Sequence, residues 1–173
     1  VNGAYNAVTH LIRLGHQRIG MVSGPLQSAV GLDRKEGYTR ALSERGFRLS
    51  ESFIAEGDFT EAGGYYAMQK LLLLKPDAVF AASDTMAIGA MRAVRDAGLH
   101  IPNDIAVVGF DDLSIAAFPD IRLTTVRQPV VQFGINAIEL LIDMIENGIN
   151  PPRHIILGTE LIIRESCGTA PGK

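Results

Sequence analysis

"PDAVFAASDTMAIGAMRAVRDAGLHIPNDIAVVGFDD", residues 76–112, is the stretch whose reading decides the fold. It opens with an unbroken apolar run, DAVFAAS (77–83). DTMAIGAMRAVRDAG (84–98) follows with helical spacing, Asp84 in position to cap it and Gly98 to stop it. DIAVVGF (104–110) is apolar throughout again and ends in two adjacent carboxylates, Asp111 and Asp112. Strands that are continuous in Val, Ile and Ala, with no polar alternation, are buried on both faces. A strand, a helix and a second such strand form a parallel unit, so the fold class is α/β with a parallel sheet.

The same alternation extends in both directions. NGAYNAVTHLIRL (2–14) has helical spacing and Gly15 as its stop. RIGMVSG (18–24) reads as a buried strand ending in a Gly24-Pro25 turn. GLDRKEGYTRALSERG (31–46) reads as an amphipathic helix closed by Gly46, and SFIAEGD (52–58) as a strand. TEAGGYYAMQKLLLL (60–74) is a helix capped by Thr60. Downstream, LTTVRQ (123–128) is a short strand, and VVQFGINAIELLIDMIENG (130–148) is a long helix with Gly148 past its end. RHIILGTELIIRES (153–166) is extended and divided at Gly158, and GTAPGK (168–173) reads as a disordered tail. The block from about Gln27 to Gln128 has its own strand–helix units between RIGMVSG and the long helix. That pattern predicts one lobe inserted within another.

Composition narrows the function classes. The 173 residues are 47% hydrophobic and 20% charged, as in a globular protein with ample core. The net charge of −3 provides no basic excess with which this stretch could grip DNA or RNA by itself. The single cysteine, Cys167, excludes an intrachain disulfide and a cysteine metal cluster, and fits a reducing compartment. No apolar run approaches the roughly 20 residues of a membrane span. No signal peptide is visible. The chain begins with Val1 rather than Met, so its first residues are expected not to be the natural start.

In a parallel α/β sheet, ligands bind outside the carboxyl ends of the strands. Asp58, Asp84 and the Asp111–Asp112 pair fall there, with Arg34 and the aromatic Phe59 nearby. Carboxylates accept hydroxyl protons, a guanidinium donates in a fixed fork, and an aromatic face stacks on a sugar ring or base. Together they suit a small polyhydroxylated ligand. Each also has a plainer reading. Asp84 could be only a helix cap, and Asp111 and Asp112 a turn. Arg34 could pair with Asp33 or Glu36 on a solvated helix, and Phe59 could be a core ring. His10 and His16 read as a helix-surface residue and a turn residue without a metal partner.

HLIRLGHQRIGMVSGP, DRKEGYTRAL, the stretch 76–112, LTTVRQP and ELIIRES, in that order, resemble the effector-binding domain of the LacI/GalR family of bacterial transcription regulators, from Asn2 to Ser166. The resemblance implies a periplasmic-binding-protein-like fold of two α/β lobes joined by three crossovers, here near Gly24–Ser28, Gln128 and Gly158. Residues 1–25 and 129–157 would form part of the N-terminal lobe, incomplete in this chain. Residues 26–128 and 158–166 would form the C-terminal lobe, with 167–173 a tail and the DNA-binding headpiece absent. Apolar surface on RIGMVSG would then need cover. The implied ligand contacts are Arg34, Asp84, Asp111, Phe59 and Gln128, with Ser28 and Val30 where the family varies its specificity. Asp112 is expected in a turn or cap. The implied function is allosteric control of operator DNA, through the absent helix-turn-helix, by a small effector such as a sugar. The implied setting is a cytoplasmic homodimer, with LSIAAF (113–118) as a candidate dimer surface, no cofactor and no membrane partner. Two rivals stand beside this reading. One is a periplasmic sugar-binding protein of a transporter, which a signal peptide upstream would favour. The other is a metal-dependent hydrolase using Asp84, Asp111 and Asp112, for which no GxxxxGK[ST], GxSxG or HExxH motif is present.

Overall fold

A computed structural model describes residues 1–148 and 154–169. In chain order the elements are α1 (Asn2–Arg13), β1 (Ile19–Ser23), α2 (Ala29–Ser43), β2 (Ile54–Glu56), α3 (Glu61–Leu72), β3 (Ala78–Ala81), α4 (Asp84–Asp96), β4 (Ala106–Asp111), β5 (Thr124–Arg127), α5 (Val130–Asn147) and β6 (Glu160–Ile162). The strands form one six-stranded sheet in the order β2-β1-β3-β4-β5-β6. Every pairing is parallel except β5 with β6, which is antiparallel.

The central strands β1 and β3 are buried at every position, as their unbroken apolar composition demands. Both faces carry helices. Phe110 of β4 points at Gly3 of α1, while its neighbour Gly109 points at Ala87 of α4. Successive strand residues face opposite sides, so α1 and α4 cover opposite faces. α1 packs with α2, and α3 with α4. The last pair approaches closely: a Cβ on Gly89 would lie 1.9 Å from the Glu61 carbonyl oxygen, and one on Gly64 would lie 2.2 Å from that of Met86. The first four helices end at or just before their expected stops. Gly15, Gly46 and Gly98 each follow with positive φ, a backbone conformation that strains any residue with a Cβ.

Several expectations are corrected. Residues 1–25, expected in a different lobe from 26–128, share its sheet: β1 sits between β2 and β3, and α1 packs on that sheet. Residues 2–127 therefore form one α/β layer structure. The Gly24–Ser28 stretch is the loop from β1 to α2 within it. β1 is already covered, and the exposed apolar surface lies on α5, which buries none of its residues and exposes Val131, Phe133, Ile138 and Ile145. Sequence periodicity made α5 a helix but could not say what it packs against.

The cap of α4 is Ser83, whose Oγ accepts the Met86 N–H, and Asp84 is the first helical residue. The extended C-terminal stretch pairs as a strand only over Glu160–Ile162. The expected tail does not begin at 167. Cys167 is fully buried, with Sγ 3.3 Å from His10 Nε2 and accepting from Thr124 Oγ1 at 3.1 Å. His10 is therefore half-buried against the C-terminal segment rather than on a free helix surface. Burial alone would raise the Cys167 thiol, but its hydrogen bonds to His10, Thr124 and Thr169 bring it down to about 7. Residues 149–153 of the predicted second lobe and 170–173 of the tail lie outside the described residues.

Candidate functional site

Strand order reverses beside β1, with β2 on one side and β3 on the other. Loops leaving the carboxyl ends of the parallel strands on the two sides of such a point diverge and leave a crevice. Here a cleft of about 600 Å³ lies against α1, α2 and the 156–159 segment, lined by Val30, Asp33, Arg34, Phe110 and Gln128 among others. That volume is in the range of small-molecule sites.

Arg34 comes from the first turns of α2 and is buried to 8% exposure. Its Nη2 donates to Asp111 Oδ1 at 3.1 Å, and its Nη1 donates to the Ala82 carbonyl at the end of β3. The guanidinium carbon lies 4.1 Å from the centroid of the Phe110 ring and 5.8 Å from that of Phe59. Burial lowers the Arg34 pKa, and the Asp111 carboxylate opposes that shift. Gln128, just past β5, donates from Nε2 to the same Asp111 oxygen at 2.6 Å. Three residues separated by up to 94 positions in the chain therefore meet at one carboxylate oxygen. The Asp111 carboxyl is held above the usual carboxylate range: burial outweighs the Arg34 charge and the Gln128 and Arg34 hydrogen bonds.

The remaining predicted residues divide. Val30 lines the cleft and is 48% exposed. Phe59 stands behind Arg34, close enough to Gly24 that a Cβ there would lie 2.1 Å from the ring. Asp84 does not reach the cleft surface. It is fully buried, Oδ1 accepts from Thr125 Oγ1 at 2.5 Å, and Oδ2 accepts the Leu113 N–H at 2.8 Å. Burial raises its pKa to about 6 despite those two bonds. It anchors the chain just after Asp111, with each oxygen accepting one bond from within the chain. Ser28 is the N-cap of α2: its Oγ accepts the Gly31 N–H at 3.0 Å and donates to the Pro25 carbonyl at 2.7 Å. Asp58 turns back on Thr60, accepting from its backbone N–H and hydroxyl, and these bonds hold its carboxyl below the usual range.

Sequence reasoning missed two features. Phe110, read only as part of a strand, supplies the face on which Arg34 stacks. Strand alternation puts Phe110 opposite Gly109, which is a signal of facing but not of which face meets the cleft. Asp112, expected in a turn or cap, joins two arginines: Arg127 Nε donates to Oδ2 and Arg164 Nη2 to Oδ1, each at 2.7 Å. Burial would raise the Asp112 carboxyl, but the Arg164 and Arg127 bonds win and hold it below its usual value. No local pattern announces a partner 52 residues downstream.

Among the described residues no helix is long and apolar enough to cross a membrane, and no group of three or more His, Cys, Asp or Glu is placed to hold a metal ion.

The profile of the periplasmic binding protein-like domain family matches residues 8–167. The HTH-type transcriptional regulator CelR of Thermobifida fusca is 39% identical over 168 residues, covering 96% of this chain and 49% of CelR. The HTH-type transcriptional repressor PurR of Escherichia coli O1:K1 / APEC is 37% identical over 171 residues, covering 98% of this chain and 50% of PurR. Among solved structures, a transcriptional regulator CelR–cellobiose complex superposes with a TM-score of 0.92 at 39% identity, over 95% of this chain and 51% of that one. A sugar-binding transcriptional regulator of the LacI family from Escherichia coli, complexed with phosphate, superposes with a TM-score of 0.87 at 37% identity, over 95% of this chain and 60% of that one. The chain spans about half the length of the curated relatives it matches. An α/β/α layer structure with a crevice at the strand tips, together with these matches, places the chain in the periplasmic binding protein-like domain family, with LacI-family transcriptional regulators as its relatives.

Proposed function

We propose that the chain is the larger part of the effector-sensing domain of a LacI/GalR-type transcriptional regulator. A small polyhydroxylated effector of the sugar class occupies the cleft. Arg34 and Gln128 offer donors from its wall, and the Asp111 carboxylate accepts hydroxyl protons beside them. Val30 and Phe110 give it apolar contact, and Phe59 backs the Arg34 side. The observation that carries this reading is the convergence of Arg34 and Gln128 on one Asp111 oxygen at the edge of the cleft. An arginine already satisfied by a carboxylate presents a neutral, fixed pair of donor and acceptor, which suits alternating hydroxyls.

Asp84 and Ser28 act from behind, as anchor and cap. α5 and residues 154–157 belong to a second lobe. Effector binding favours one arrangement of the lobes by its differential affinity, and so shifts operator occupancy by a helix-turn-helix elsewhere in the whole protein. That regulator works in the cytoplasm as a homodimer, since operator symmetry mirrors protein symmetry. Leu113 and Phe118, exposed at 42% and 55%, supply apolar surface for the dimer contact.

The relatives named as transcriptional regulators favour this reading over a transporter's binding protein. A hydrolase site built on three carboxylates is disfavoured because two of them are already engaged, Asp112 by two arginines and Asp84 by Thr125 and Leu113, which leaves Asp111 alone. The test is a thermal-shift screen of the full-length protein against sugars, beginning with cellobiose, and against nucleobases. A sugar that raises the unfolding temperature progressively, as the logarithm of its concentration once the site is saturated, supports the reading. A nucleobase that does so while all sugars fail contradicts the effector class.

A further inference from the structure

Asp111 and Asp112 are consecutive non-glycine residues with φ of 118° and 56°. Side chains disfavour that backbone region, and it persists only where the surroundings over-determine it. Here several groups hold it. The Asp112 side chain, 8% exposed, is gripped by Arg127 Nε and Arg164 Nη2, each at 2.7 Å. Arg164 is itself fixed, because its Nη1 donates to the Leu123 carbonyl at 2.7 Å. On the far side, Asp84 Oδ2 accepts the Leu113 N–H at 2.8 Å. The strained pair is thus clamped at both ends, and the clamp sets where the Asp111 carboxylate points.

The clamp also reaches the cleft by a second path. Residues 156–159 line the cleft, and the same segment continues into β6 and Arg164. Glu160, at the start of β6, accepts from Arg127 Nη1 at 3.4 Å. One segment therefore touches the cleft at one end and holds Asp112 at the other. We infer that Asp112, clamped by Arg127 and Arg164, is a positioning residue for the cleft: it holds the Asp111 carboxylate on Arg34 and Gln128, and it couples that pose to the placement of residues 156–164. This rests on the cleft being the effector site.

The test uses Asp112→Asn, Arg164→Met, Arg164→Lys and Arg127→Met in the full-length protein, with two readouts. The first is the ligand-free crystal structure of each variant, which needs no effector. In Asp112→Asn and Arg164→Met the Asp111 carboxylate is expected beyond hydrogen-bond reach of Arg34 Nη2. Asp111 still held by Arg34 and Gln128 in these variants would overturn the inference. The second is calorimetric titration with cellobiose. Asp112→Asn and Arg164→Met are expected to weaken binding about tenfold or more, with Arg164→Lys within about threefold of wild type. Adding Arg127→Met to Asp112→Asn is expected to cost no more than about twofold further, because both act through one carboxylate. Unchanged affinity in Asp112→Asn would overturn the inference. If the wild type fails to bind cellobiose, the failure belongs to the effector reading for that sugar, and the crystal structures alone decide the role of Asp112. If Asp112→Asn does not fold, Arg127→Met, which alters a half-exposed arginine, takes its place under the same two criteria.

Discussion

Arg34 is a buried cation with a carboxylate, a carbonyl and two aromatic rings around it. Asp111→Asn keeps the shape and removes the charge that balances it. A charge-assisted hydrogen bond is worth roughly 1.5–3 kcal/mol. The substitution is therefore expected to weaken effector binding in the full-length protein by about ten- to a hundredfold, with operator affinity in the absence of effector unchanged. Calorimetry and a filter-binding assay check the two halves. Asp84 gives a pH signature. Burial raises its folded pKa to about 6, whereas an unfolded Asp titrates near 4, at about 3.9. Between those values the folded protein keeps a proton that the unfolded chain has released. Stability is favoured at the low end and falls as pH rises from about 4 to about 6. Asp84→Asn is expected to flatten the unfolding temperature over that window, leaving the contribution of the same sign from Asp111, whose pKa is also raised. A full slope remaining in the variant would contradict the assignment. At this scale the strand-tip rule grouped Asp111 and Arg34 as candidates and the family resemblance added Gln128, and the three meet at one carboxylate oxygen. Position alone did not reveal that Asp84 turns inward to Thr125 and the Leu113 N–H, or that Ser28 caps α2.

At the scale of elements, periodicity identified nearly every helix and strand, because double-sided burial leaves an unbroken apolar run and a surface helix leaves a 3.6-residue one. It could not assign β1 to a lobe. RIGMVSG and DAVFAAS are both short apolar runs without polar alternation, and only the hydrogen-bond pairing of Ile19–Val22 with Ala78–Ala81 shows that they share a sheet. The cap of α2 gives a separable prediction. Ser28→Ala removes one capping bond, which costs about 1 kcal/mol. That corresponds to a fall of about 2–4 °C in the unfolding temperature of a domain this size. Effector affinity is expected to stay within about twofold of wild type. A tenfold loss of affinity would return Ser28 to the ligand contacts.

For the molecule as a whole, the sheet and α1–α4 close a core, while α5 stands with its apolar residues in solvent. A contiguous exposed apolar surface of this kind is rare on monomers. The 173-residue chain by itself is therefore expected to associate in solution, and Ile138→Lys with Ile145→Lys to reduce that association. Sedimentation velocity checks it, and a monomer at every concentration would contradict the expectation. The central claim is that strand-tip groups converge on one crevice and receive a small polar molecule there. The most direct measurement is calorimetric titration of the full-length protein and its Arg34→Met variant with the sugar that gives the largest thermal shift. Saturable one-site binding in the wild type, lost or weakened at least about a hundredfold in Arg34→Met, is the predicted result; equal affinity in the two proteins would contradict it.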